Sequence, residues 1–161
     1  TNQNYVDVSV DGNAGKEYKI FIFSPEGIDV GIGLWVNGDT SNNYGHAAQY
    51  AMGSPMTSQA SKNNTDSGFI LIPGAGLLSN SIGISEGILR TKSGYARTYL
   101  GTYAYNLQNG GDASGVAVGN MTSWWKNTTD NITSLRFFRR YQSPSVWPLQ
   151  AGTTIRIYKR N

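Results

Sequence analysis

Residues 131–161 read NITSLRFFRRYQSPSVWPLQAGTTIRIYKRN. Leu135 and Phe137 flank Arg136, and Ile155 and Ile157 flank Arg156. This is the period of two that sends successive side chains to opposite faces of a strand. Between the two patterns, Pro144, Pro148 and Gly152 mark turns. The second strand runs almost to Asn161, and a terminal strand frays unless it is paired. The last residues are therefore expected to close a sheet.

The same period recurs upstream. Val6, Val8 and Val10 alternate with Asp7 and Ser9, ahead of a turn at Asp11-Gly12-Asn13. Tyr18, Ile20 and Ile22 alternate with Lys19, Phe21 and Phe23, as in a strand covered on both faces. A turn at residues 24–27 precedes a strand from Ile28 to Val36. Asn37-Gly38-Asp39 ends that strand with a hairpin signal, because Asn and Gly accept positive φ. Residues 40–67 are the least regular and read as a long loop holding a short helix or strand at Ala47–Met52. Phe69–Ile72 is a strand; Ile82–Ile84 and Ile88–Arg90 are a pair or one bulged strand. Residues 94–107 are extended, 108–112 turn, and Val116–Val118 is a short strand. About nine or ten short strands without an amphipathic helix predict an all-β, jelly-roll-like antiparallel sandwich. A parallel sheet would need helical crossovers of ~10–15 residues, and none is visible.

At 161 residues the chain is one domain long and able to bury a core without covalent staples. It has no Cys, which removes disulfides and thiolate metal sites. Charged residues are only 14%, so the surface is polar mainly through Asn, Ser and Thr. The net charge of +3 is small and no nucleic-acid-binding motif accompanies it, so no nucleic-acid partner is expected. No apolar run approaches the ~18 residues that read as a membrane span. The chain begins at Thr1 rather than Met, so it is expected to be processed or cut from a longer protein.

Gly83-Ile84-Ser85-Glu86-Gly87 fits the G-x-S-x-G nucleophile elbow, which needs a strand-to-helix turn followed in the chain by Asp and His. No helix follows, and the only histidine, His46, comes earlier. The pentapeptide reads as a glycine-flanked strand turn, and His46 as a hydrogen-bonded loop residue. One His and no Cys cannot supply the usual nitrogen and sulfur metal ligands. Turns at Asp11-Gly12-Asn13 and Asn37-Gly38-Asp39 leave an oxygen-only calcium site open, without EF-hand spacing. Asp39, Asp66, Asp112 and Asp130 have ordinary turn reasons for their positions, so no carboxylate pair stands out for glycosidic chemistry. The expectation is a chain without catalytic residues, metal or other cofactor.

The aromatics are more informative. Tyr95, Arg97, Tyr99, Tyr103 and Tyr105 share one parity, opposite Ala96, Thr98, Leu100, Thr102 and Ala104. The stripe is either a core face or subunit interface, which the preference of aromatics for buried surfaces favours, or a platform for a sugar ring. In Trp124-Trp125, neighbours on a strand face opposite ways, so one can be buried and the other exposed; the flanking residues read as loop. Either an exposed Trp there contacts a glycan, together with the 37–66 loop, or both pack beneath the loop. If the two closing strands pair, Arg136 and Arg156 face each other and call for an anion between them. Candidate ligand contacts are thus Trp124, Trp125, Tyr103, Tyr105 and Arg97. Candidate interface residues are Tyr95, Tyr99, Phe138, Arg136, Arg156 and Tyr158.

Ile132-Thr133-Ser134-Leu135-Arg136-Phe137-Phe138, the loop after it, and Ala151-Gly152-Thr153-Thr154-Ile155-Arg156-Ile157-Tyr158 resemble the distal domains of bacteriophage tail fibres, tail spikes and tail-needle knobs. So does Trp125 followed by residues 127–131. The likeness spans residues 125–158; elsewhere it is one of composition. The run Arg136–Arg140 departs from it, since small polar residues are usual there. The resemblance implies that residues 1–161 are a single β-sandwich domain of the tumour necrosis factor-like kind, a C-terminal fragment of a longer fibrous protein. It implies a homotrimer at the tail tip of a virion, extracellular, that attaches to a bacterial surface glycan or receptor without catalysis. It carries no fixed binding residues. A structural tail-needle knob that plugs or penetrates the envelope, and a secreted carbohydrate-binding module or lectin, are the alternatives.

Overall fold

A computed structural model describes residues 5–12, 16–25, 31–52, 57–66, 68–73, 82–106, 116–140, 146–147 and 149–160. Every helix or strand among them is a strand, and the strands form two antiparallel sheets that face each other as a jelly-roll-like sandwich. The smaller sheet runs β1 (Tyr5–Gly12), β10 (Ile132–Arg140), β3 (Gly31–Val36) and β6 (Phe69–Ile72), with β11 (Val146–Trp147) against the end of β10. The larger runs β12 (Thr154–Arg160), β2 (Glu17–Ser24), β7 (Ile82–Arg90), β8 (Arg97–Asn106), β9 (Val116–Trp125), β4 (Tyr44–Met52) and β5 (Thr57–Asp66).

Alternation decides the core. Tyr18, Ile20 and Ile22 of β2 are buried, as are Leu34 and Val36 of β3 and Leu135 and Phe137 of β10. Each aliphatic side chain so buried contributes ~1.5–3 kcal/mol. The β6 strand, apolar throughout and buried throughout, lies closest to the larger sheet. Its outer edge is satisfied across the gap: Ser123 of β9 donates to the carbonyl of Ile70 (3.1 Å) and accepts from its N–H (3.3 Å).

Several elements differ from the sequence-based expectation. Residues 40–67 hold β4 and β5 rather than a long loop; of the two forms expected for Ala47–Met52, helix or strand, the strand is the one it takes. Its small residues carry little propensity, but β9 and β5 pair with it on both sides, and pairing outweighs local preference. Residues 82–90 form one continuous strand without a bulge. The strand expected at Val116–Val118 extends to Trp125, so the tryptophan pair is strand and not loop. The turns expected at 11–13, 24–27 and 108–112, and the start of the strand at Ile28, lie partly or wholly outside the described residues.

Asn37 and Gly38 take φ of 52° and 70°, and the N–H of Asp39 donates to the carbonyl of Val36 at 2.9 Å, as the dipeptide predicts. No hairpin follows, because β4 belongs to the other sheet. The turn carries the chain between sheets, and the Asn37 amide pins the start of β10. It accepts from the N–H groups of Thr133 (2.8 Å) and Ser134 (3.2 Å) and donates to the carbonyl of Asn131 (2.6 Å).

The two closing strands do not pair with each other. β10 lies inside the smaller sheet between β1 and β3, while β12 is an edge of the larger sheet, held by β2. Arg136 and Arg156 therefore sit on different sheets. Arg136 grips Asp7 with two hydrogen bonds (2.6 and 2.9 Å) and lies over the Tyr5 ring, so no anion between arginines is required.

Candidate interaction face

The tyrosine stripe is a core face. Arg97, Tyr99, Tyr103 and Tyr105 of β8 point inward and are buried, as is Trp125 of β9. The Tyr99 ring lies against Gly87 and Gly101, and Tyr103 against Gly119, at distances that leave no room for a Cβ. Tyr103 and Tyr105 stack on each other, with ring centroids 5.9 Å apart. Burial, partly offset by the hydrogen bond with Ser85, pushes the Tyr99 hydroxyl up to about 12. Burial likewise raises those of Tyr44, Tyr103 and Tyr105. Arg97, 1% exposed, donates to the carbonyls of Asn127 and Asp130 and fixes the bend after β9. Trp125, 1% exposed, donates from Nε1 to Asp39 at 2.7 Å. Tyr103, Tyr105, Arg97 and Trp125, expected as ligand contacts, thus keep their side chains in the core, although Tyr103 still borders the hollow described below. Tyr99 and Phe138 are withdrawn as interface residues, since Phe138 is buried against Trp35 with centroids 4.1 Å apart.

Tyr95, Tyr158 and Arg156 stay exposed, and Trp124 remains half-buried on the outer face of β9, its ring over Gly45. The outer face of the larger sheet is where sequence reasoning missed the most. Its register places residues in rungs across the strands. One rung is Phe23, Ile84, Ala104, Val118 and Ala51, apolar throughout. The next is Phe21, Glu86, Thr102, Asn120 and Gln49, polar from β7 onward. The third is Lys19, Ile88, Leu100, Thr122 and Ala47. Ile84, Leu100 and Val118 are 43%, 40% and 49% exposed, so large apolar side chains face open solvent on both sides of the polar rung.

Two shallow depressions follow this pattern. One, of about 460 Å³, is lined by Phe21, Ile84, Glu86, Thr102, Asn120 and Gln49, among others. The other, of about 700 Å³, lies beside it and shares Glu86, Thr102 and Asn120. Small residues two apart on β8, Thr102 and Ala104, leave the hollows between taller neighbours. Among the described side chains of this face, charge lies on the β12–β2–β7 side. Lys19 Nζ lies 2.7 Å from Glu86, and Glu17 takes both Arg90 (3.1 Å) and Arg160 (3.4 Å). The outward residues of β8, β9 and β4 are amides, hydroxyls, aliphatics and one indole.

The sequence motifs take other roles. Ser85 lies mid-strand, buried, with its hydroxyl 3.0 Å from that of Tyr99; it occupies no strand-to-helix turn. His46 sits in β4 opposite Ser123 rather than in a loop. Asp39 is only partly buried, which works against its charge. Hydrogen bonds from Ser41, Trp125 and Asn43 outweigh that and hold its carboxyl below the ordinary value of 3.8. Asp11 faces Lys16 (3.7 Å) and Lys159 (3.5 Å). Both turn acids named for calcium are thus engaged, and among the described residues no three His, Asp or Glu side chains converge on a metal position. No protein-family model, curated protein or solved structure matches this chain.

Proposed function

We propose that this chain is the tip domain of a bacteriophage tail appendage, which attaches without catalysis to a glycan on a bacterial surface. In this reading it is a homotrimer, displayed outside the cell at the end of a longer fibre. The observation that carries the binding role is the outer face of the larger sheet, where a rung of hydroxyl, amide and carboxylate side chains lies between exposed aliphatics, Ile84 and Val118 on one side and Leu100 on the other. Sugars present the same mixture: hydroxyls at the ring edge and C–H groups on the ring face. Open, shallow hollows admit part of a long polymer, whereas an enclosed cavity would admit only a small molecule. Each such contact is weak, and three copies held together would multiply weak contacts by avidity. The phage setting rests on the sequence resemblance over residues 125–158.

The test is binding of the purified protein to whole bacteria and to polysaccharides extracted from their surfaces. Saturable binding that Val118→Asp weakens, with the fold intact by circular dichroism, is the expected result. A folded protein that binds no cell and no polysaccharide overturns this reading and leaves the structural knob.

A further inference from the structure

We infer that the glycan held on this face is uncharged and lies across the strands along Glu86, Thr102, Asn120 and Gln49. The inference rests on the glycan-binding reading above and narrows it to one substrate class. These four residues stand directly opposite one another on β7, β8, β9 and β4. Three strand spacings of roughly 4.8 Å give the rung a length of about 14 Å, and the flanking rungs, which carry Ile84 and Val118 on one side and Ile88 and Leu100 on the other, lie about 7 Å away. A chain of sugar rings laid along it meets a polar side chain at every strand and aliphatic surface at both flanks.

The charge pattern selects against acidic sugars. Glu86 is an acceptor only, so it suits ligand hydroxyls and has no donor to offer a carboxylate or sulfate. Thr102, Asn120 and Gln49 donate and accept, as hydroxyls require. No outward residue of β8, β9 or β4 in these rungs is a cation. Lys19 and Arg160 line the second hollow, but each is ion-paired: Lys19 with Glu86 at 2.7 Å, and Arg160, like Arg90, with Glu17. Arg156 lies beyond Phe21 on the edge strand, two strands away from Glu86.

The experiment is retention of the full chain in gels and on surfaces carrying neutral polymers (a glucan, a mannan, a galactan, a neutral bacterial surface polysaccharide) or acidic ones (a polyuronate, a sulfated glycan). A neutral polymer is expected to be bound, with affinity unchanged between low and high salt. Asn120→Ala and Gln49→Ala should each weaken it about tenfold, the worth of one hydrogen-bonding group. Glu86→Gln should raise retention of the acidic polymers. Binding only to acidic polymers, salt-dependent and lost in Arg156→Ala, overturns the inference while leaving a glycan-binding protein. Neutral binding that neither Asn120→Ala nor Gln49→Ala alters overturns the placement. Binding to none of the polymers, while whole bacteria still bind, overturns the inference alone; binding to neither removes the glycan reading itself.

Discussion

Tyr103 fits inside the sandwich because Gly119 stands opposite it. A methyl group at Gly119 would lie 2.5 Å from the Tyr103 hydroxyl and 2.5 Å from the carbonyl of Gln49, which as backbone cannot swing aside. Gly119→Ala is expected to cost about 1–3 kcal/mol through overpacking, read as a lower Tm. Thr102→Ala, on the outer face one pair away, should stay within ~0.5 kcal/mol. Equal stability of the two variants would refute the packing role. The same partnership recurs where Phe138 covers Gly33 and Trp124 covers Gly45. It also explains what the sequence hid. A glycine within an alternating pattern reads as a turn or a weak strand, and the isoleucines beside it read as core. In β7 the reverse holds: Gly83, Ser85 and Gly87 face inward beneath tyrosines, and Ile82 and Ile84 face solvent. Parity in one strand cannot report a ring donated by the next. Those rings also carry a pH signature. The Tyr99 hydroxyl rises from the ordinary 10.0 to about 12 through burial, so the folded state holds that proton more tightly than the unfolded state. Its stabilisation is whole below pH 10 and is lost as pH rises towards 12. Thermal unfolding across that range should show a steep loss of Tm, with the buried tyrosines ionising only as near-ultraviolet dichroism disappears. Their ionisation with tertiary structure intact would contradict this account.

At the scale of elements, pairing rather than propensity decided what sequence could show. β2, β10 and β12 announced themselves by strong apolar alternation, and the expected all-β sandwich followed from such strands. β4 gave no comparable signal, because Ala47, Ala48 and Ala51 favour no sheet by themselves and are placed by neighbours distant in sequence. The partners of β10 and β12 were equally illegible: each could pair with any strand of compatible register, and turn chemistry did not say which sheet came next. The contact between β6 and β9 is a sharper case. Ile70 presents a backbone N–H and C=O at a buried sheet edge, and one hydroxyl, that of Ser123, satisfies both. Ser123→Ala leaves two buried polar groups without their partner and should destabilise the protein by about 2–6 kcal/mol, at ~1–3 kcal/mol per orphaned group. Ser123→Thr, which keeps the hydroxyl, should retain part of that. Chemical denaturation measures both, and an alanine variant as stable as the parent would show that the clip contributes nothing.

Across the whole molecule, the sandwich is sealed unevenly. β1 and β12 are the edges of opposite sheets on the same side, as the ion pair of Lys159 with Asp11 shows. There Val6, Val8, Val10, Ile155 and Ile157 pack on the core but stay half-buried. Val6 and Ile155 line an open depression of about 400 Å³ together with Thr153, whose buried hydroxyl has no hydrogen-bond partner among the described residues. A subunit laid against this side would cover those aliphatics, while the outer face of the larger sheet stayed free for a glycan. The homotrimer proposed above is therefore expected to assemble along β1 and β12. Light scattering across a dilution series should give three times 17.5 kDa. Val8→Glu and Ile155→Glu, which set a charge into the contact, should each yield a folded monomer. Hydrogen exchange should find β1 and β12 as protected as the central strands in the parent, and exposed in the variants. A monomer at every concentration would instead assign the charges of β1 and β12 the task of keeping two open edges from pairing with other chains. Binding would then have to be strong at one face alone, without the help of avidity.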